Sequence, residues 1–203
     1  MTSTTTDKLK EIKQSFRQMM DGVVAQSMRD KGLNYHLNWG ATLPRLREMA
    51  DEYGQDYDLA LALWKENIRE CKILATMMMP PDKILPEVID IWMEQTETQE
   101  IAEQAAMNLY RHLPFAAEKA YQWIASDRPL YQLCGFHVLS RLFMNGQEPN
   151  ERGINEFIDQ AQAALNGSDL VVRKAAYNCI QRFAELGLVY ERIAQSALRQ
   201  CKL

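Results

Sequence analysis

The sequence is poor in the residues that punctuate strands and tight turns. Its 203 residues hold nine glycines and seven prolines, few for a chain of short strands and hairpins. An all-α fold is therefore expected. Cys71, Cys134, Cys179 and Cys201 are widely separated, form no CxxC pair and each fall within a helical pattern, which speaks against a disulfide framework or a zinc knuckle. They read as reduced packing residues of a cytoplasmic protein. No stretch approaches the roughly 18 uninterrupted apolar residues of a membrane span, and the start MTSTTTDKLKEIKQSF has no apolar signal core. Neither membrane insertion nor secretion is expected.

A basic excess is also lacking, since the net charge is -4. Its distribution tells more than the sum: residues 1–72 carry 11 basic and 11 acidic side chains, 82–127 carry 3 and 9, and 128–203 carry 9 and 7. The acidic middle would repel a phosphate backbone. The common catalytic signatures are missing as well: no GxxxxGK[ST] or GxGxxG phosphate loop, no HExxH zinc helix and no GxSxG nucleophile elbow. His36, His112 and His137 are scattered, so neither a metal nor a cofactor is expected.

What is present is apolar periodicity at three- and four-residue intervals. The stretch from Gly40 to Ala75 shows it best, with Leu43, Leu46, Met49 and Ala50, then Leu59, Ala62, Leu63, Ile68, Ile73 and Leu74, read as two helices stacked in one layer. Asp7 is expected to cap a first helix running to about Arg29. Further helices are expected at about 42–53, 57–78, 84–95, 98–112, 114–126, 130–145, 151–165, 169–186 and 188–201. The expected punctuation is Pro80-Pro81 with Asp82 as a cap, Pro114 in a first turn, Asn166-Gly167 as a left-handed stop, and Ser168 or Asp169 as the next cap. Between these helices, the loop DKGLNYHLNWG (30–40) offers Tyr35, His36 and Trp39, either pinned to the body of the fold or lining a small-molecule pocket.

From about residue 100 the helix pairs recur every 35 to 40 residues, each with a small-residue helix (Ala105-Ala106, Cys134-Gly135, Ala175-Ala176) ahead of a bulky apolar run. Small residues let stacked helices approach closely. That pattern predicts a single domain over 1–203 built as a HEAT-like helical repeat superhelix (α-solenoid) of antiparallel pairs; a generic helical bundle is the alternative. Glu94, Glu97, Glu100 and Glu103 recur at three-residue spacing, an acidic ribbon if they share one helix. Glu103 stands apart because it borders Ala102, Ala105, Ala106 and Leu109, where partial desolvation would make its charge matter.

The run Gly40, Pro44, Leu46, Arg47, Ala50, then Leu63-Trp64, Arg69-Glu70 and Leu74-Ala75, then Trp92, resembles the front half of the AlkD-type DNA alkylation repair glycosylases. The resemblance implies HEAT-like helix pairs around a DNA-wrapping surface, and excision of cationic N3- or N7-alkylated purines by a cleft aspartate beside tryptophans and an arginine. Aligned from Trp92, it puts Gln99 where a cleft tryptophan is expected and Glu103 where the catalytic aspartate is expected. Trp123 and Ser126 match a W..S segment, but Leu130, Gln132 and Leu133 replace the W.RR that follows, so the phosphate-clamping arginine is missing. Tyr177-Asn178 falls near another expected aromatic. A lost arginine–phosphate contact and a lost stacking aromatic each cost about 1–3 kcal/mol.

Two function classes follow. The first is a DNA alkylation repair protein whose excision is weak or lost, with Glu103 as the candidate catalytic carboxylate and Gln99 and Gln132 as altered cleft positions. Its expected DNA contacts are Arg45, Arg47, Lys65, Arg69, Arg173, Lys174 and Tyr177, Arg69 with Glu70 being equally readable as a structural ion pair. The second is a non-catalytic helical-repeat scaffold binding a protein partner.

Overall fold

The structure, a computed structural model, describes residues 3–201. Among them are α1 (Ser3–Gln18), α2 (Gly22–Asp30), α3 (Leu43–Tyr53), α4 (Tyr57–Lys65), α5 (Arg69–Met78), α6 (Pro86–Glu94), α7 (Gln99–Asn108), a 3-10 turn at Tyr110–His112, α8 (Ala116–Ile124), α9 (Pro129–Met144), α10 (Glu151–Asn166), α11 (Leu170–Ala184) and α12 (Leu188–Arg199). The helices form two compact units, Met1–Leu109 and Tyr110–Leu203.

Several expected boundaries are corrected. Asp7 does not cap the first helix, which is already running from Ser3, and that helix does not reach Arg29. The break falls at Asp21, which is extended and whose carboxylate accepts from the backbone N–H groups of Val23 and Val24 at the head of α2. The expected helix over 57–78 is two helices, because Ile68 leaves the helical path and bridges Leu37, the Arg69 N–H donating to the Leu37 carbonyl at 3.0 Å. Asp82 caps nothing; α6 starts at Pro86 behind an extended Leu85. Gly167 is not a left-handed stop, its φ being -71°. Asp169 does cap α11, accepting from Val171 and Val172 N–H.

In the first unit α5 is central, packing on α3, α4 and α7, while α1 lies on α4. Every side chain of α5 except those of Lys72 and Met77 is buried, so the helix is surrounded rather than amphipathic. Trp64 of α4 and Trp92 of α6 stack with their planes 4° apart and centroids 4.2 Å apart. Both are 2% exposed, and Trp64 Nε1 donates to Gln95 Oε1 at 2.8 Å.

In the second unit the 110–112 turn, α9 and α11 pack side by side as one layer, and α8, α10 and α12 form the layer behind. The small residues work as expected. A Cβ on Gly135 would lie 2.8 Å from the Ala120 carbonyl oxygen and from Ile124 Cγ2, so a side chain there would push α9 off α8. Phe143, Phe157, Phe183 and Tyr190 form an aromatic cluster with neighbouring centroids 5.1 to 5.5 Å apart, edge-to-face except for the tilted Phe157–Phe183 pair, joining α9, α10, α11 and α12.

Candidate functional site

The adjacent pair Arg69-Glu70 opens α5 and is the centre of a buried polar network. Arg69 is 2% exposed and Glu70 0%. The Arg69 guanidinium forks onto Glu100, Nε donating to Oε2 at 2.7 Å and Nη2 to Oε1 at 2.6 Å, while Nη1 donates to the Ala41 carbonyl at 2.8 Å and to Glu70 Oε1 at 3.2 Å. Glu70 also accepts from the backbone N–H groups of Trp39 and Ala41, each at 3.2 Å. The Tyr35 hydroxyl donates to Glu100 Oε2 at 2.5 Å, and Thr98 Oγ1 donates to that hydroxyl at 3.1 Å. Loop 31–42 is thereby tied to the N-terminal ends of α5 and α7. Its approach is close enough that Gly40, at φ +76°, has no room for a Cβ, which would lie 2.1 Å from the Asp21 carbonyl oxygen.

Burial alone would push the Glu100 carboxyl up, but the hydrogen bonds and charge of Arg69, with the Tyr35 hydroxyl, hold it below the ordinary carboxylate value. For Arg69 burial acts downward and the Glu100 and Glu70 carboxylates outweigh it, so its value is raised. Tyr35 is pushed up by burial and by its bond to Glu100. Of the two readings the sequence left open for Arg69, the network supports the structural ion pair: the side chain is buried and its Nε, Nη1 and Nη2 all donate within the protein. The loop aromatics are corrected in part. Tyr35 pins the loop, His36 is exposed, and the cavity beside Tyr35, Asn67, Arg69 and Lys72 measures only about 20 Å³, less than one small molecule needs.

The four regularly spaced glutamates do not share one helix. Glu94 ends α6, Glu97 lies in the connection, and Glu100 and Glu103 are in α7. Within α7 the inward carboxylate is Glu100. Glu103 is half-buried and its Oε1 accepts from Gln99 Nε2 at 2.7 Å. The two α7 residues that the resemblance assigned to a cleft, Gln99 and Glu103, thus lie on one face of the helix and are bonded to each other. Gln132 lies in the second unit, in the first turn of α9, half-buried. Trp123 is 3% exposed and packs on Tyr110 with centroids 5.1 Å apart, a core role.

The expected DNA contacts are dispersed. Arg45 is exposed but pairs with Glu48 at 2.8 Å, on the rim of an open cleft of about 520 Å³ that also carries Glu11 and Glu52. That setting repels phosphate. Arg47 and Lys65 are exposed on α3 and α4. Arg173 faces Leu165, Asn166 and Gln200 in a cleft beside α10 and α12, whereas Lys174 is exposed one residue on, and Tyr177 is 41% exposed. The charge is divided between the units: residues 1–109 carry 12 Lys and Arg against 18 Asp and Glu, and residues 110–203 carry 11 against 9. Among the described residues no three His, Cys, Asp or Glu side chains gather as a metal site, and no helix is long and apolar enough to cross a membrane.

Sequence reasoning missed the Tyr35–Arg69–Glu100 network, whose members stand 65 and 31 residues apart. No local spacing links them, although an Arg-Glu pair at a helix head with apolar neighbours was a partial signal.

Small-residue contacts and helices layered in pairs define a HEAT-like helical repeat protein. The model of the family described as "DNA alkylation repair enzyme" matches residues 12–185, and the chain belongs to that family. Its fold is similar to that of a solved structure described as "a new family of proteins related to the HEAT-like repeat DNA glycosylases with affinity for branched DNA structures", with TM-score 0.80, 16% identity, and coverage of 94% of this chain and 80% of that one. At that identity the likeness is one of fold. None of the curated proteins matches the sequence.

Proposed function

We propose that this protein is a DNA-binding member of the family, recognising DNA by its backbone and structure, in which excision of alkylated purines is weak or lost. Its two units act as one repeat domain over 1–203. The observation that carries the reading is the state of α7. Gln99 stands where the resemblance expects an aromatic, and its amide is bonded to the Glu103 carboxylate at 2.7 Å. A cationic alkylpurine is already a good leaving group, so the chemistry asks chiefly for a carboxylate aimed at the oxocarbenium-like sugar and for a surface that holds the base. Glu103 has the charge, but an amide shares it and no aromatic stands beside it at position 99. Further support for DNA binding comes from family membership and from the affinity for branched DNA attributed to the similar structure.

The test combines two measurements on the full chain. Fluorescence anisotropy with linear and four-way-branched DNA is expected to show binding that weakens steeply with salt. Release of 7-methylguanine and 3-methyladenine from alkylated duplex is expected to be slow or absent, and unchanged in Glu103→Gln. Rapid release that disappears in Glu103→Gln would replace this reading with that of an active glycosylase carrying a lengthened catalytic carboxylate. Absence of salt-sensitive binding to any DNA would refute the reading outright.

A further inference from the structure

Three arginines of the second unit come from three neighbouring elements of one layer. Arg111 lies on the 110–112 turn, Arg141 in the last turn of α9 and Arg182 in the last turn of α11, and these are the elements that pack side by side in front of α8, α10 and α12. Past its first turn, α9 reaches solvent only along a strip made of His137, Ser140, Arg141 and Met144, the rest being buried between its neighbours. On α11, Lys174, Asn178 and Arg182 follow at four-residue intervals, one row of a helix surface. The cationic side chains therefore stand on the open side of this layer.

Their immediate partners leave the charge largely unmet. Arg111 Nε donates to His112 Nε2 at 3.0 Å and Arg141 Nη1 to Met144 Sδ at 3.5 Å. Among the described residues neither guanidinium meets a carboxylate, and only Arg182 has one, the exposed Glu185 at 2.7 Å. Burial and the repulsion of Arg111 and Arg182 hold the Arg141 guanidinium below its ordinary value. The carbonyl ends of α9 and α11 offset part of that repulsion, but three mutually repelling arginines on one face remain an arrangement that a polyanion would stabilise. Packed helices stand about 8–10 Å apart, and phosphates along one strand advance about 3.4 Å each. That axial rise is shorter than the path between successive phosphates of a strand, so long arginine side chains on successive helices stand within reach of neighbouring phosphates.

We propose that Arg111, Arg141 and Arg182, continued by Lys174 along α11, form a phosphate track by which the second unit grips one strand of nucleic acid. This assignment rests on the DNA-binding reading above. It differs from the contacts expected from the sequence, of which only Lys174 belongs to the track.

The experiment compares the native chain with Arg111→Gln/Arg141→Gln/Arg182→Gln and with a control of equal charge loss on the other layer, Arg152→Gln/Arg192→Gln/Arg199→Gln. Binding to a four-way DNA junction is measured over a range of salt. Three lost phosphate contacts lower the slope of log K against log salt by about 2–3, with a loss of affinity of about 10-fold or more at low salt, while the control stays near native. The track variant should melt no lower than the native chain, because it loses a like-charge cluster, and Arg141→Lys should keep most of the slope. Equal losses in both triple variants, or native binding by the track variant, would overturn the track and leave DNA binding standing. A native chain that binds no DNA would overturn both.

Discussion

Glu100→Gln isolates the charge on which the first unit's network depends. Removing one member of a buried ion pair costs about 3–5 kcal/mol when the remaining charge is left uncompensated. Here the cost is smaller, because Glu70 stays 3.2 Å from Arg69 Nη1 and the new amide retains one acceptor oxygen. What disappears is charge assistance in the two Arg69 bonds and the Tyr35 bond, about 1 kcal/mol apiece for the arginine pair, and an anion in the first turn of α7, about 0.3–1 kcal/mol. The expected loss is about 2–3 kcal/mol at pH 7. The folded carboxyl is held below its ordinary value of 4.5, so its stabilisation is complete above that value and is lost as pH falls through the lower, folded one. The deficit of the variant should accordingly be constant near neutrality and shrink under acid. Urea unfolding followed by tryptophan fluorescence measures it, with Trp39, Trp64 and Trp92 all in this unit. A loss below 1 kcal/mol at pH 7, or a deficit that does not narrow at low pH, would refute the account.

Packing and burial carry three further expectations. Gly40→Ala places a Cβ 2.1 Å from the Asp21 carbonyl oxygen at a φ of +76°; strain and overpacking together should cost about 3 kcal/mol, read as a lowered midpoint in thermal unfolding. Trp92→Ala removes one half of the 4.2 Å Trp64–Trp92 stack and should cost about 3–5 kcal/mol, with loss of the near-ultraviolet dichroism of the pair. Under native conditions only Cys201 should react promptly with a thiol reagent, since Cys71, Cys134 and Cys179 are buried and burial pushes the Cys179 thiol up to about 12. Labelling of two or more cysteines before unfolding would contradict the packing described.

Most helices were legible because a three-to-four-residue apolar rhythm is a local property, written wherever one helical face meets a core. The breaks at Asp21 and at Glu66 to Ile68 were not. The residues on either side of each break continue the apolar rhythm, and what interrupts the helix is a bond made at a distance: Asp21 N–H to the Trp39 carbonyl, and Arg69 N–H to the Leu37 carbonyl. Loop 31–42 causes both, and a sequence read helix by helix gives a loop no such authority.

For the candidate site the division is sharper. The Arg-Glu pair, and Gln99, Gln132 and Glu103 as the residues standing where the resemblance places a cleft, could all be read from residue identity and order. Direction could not. Glu100 and Glu103 are both acidic and lie within one turn of each other, yet Glu100 meets a buried guanidinium while Glu103 meets a neighbouring amide at the surface. Arg69 looks like any helix arginine until Ala41, Glu70 and Glu100 are brought around it. Sequence by itself determined the helical class, the repeat spacing and the identity of the charges, because each is a property of neighbours along the chain. Only the tertiary structure decided which charges are consumed inside the protein and which, as at Arg111 and Arg141, meet no carboxylate among the described residues, because that depends on what distant segments bring within about 4 Å.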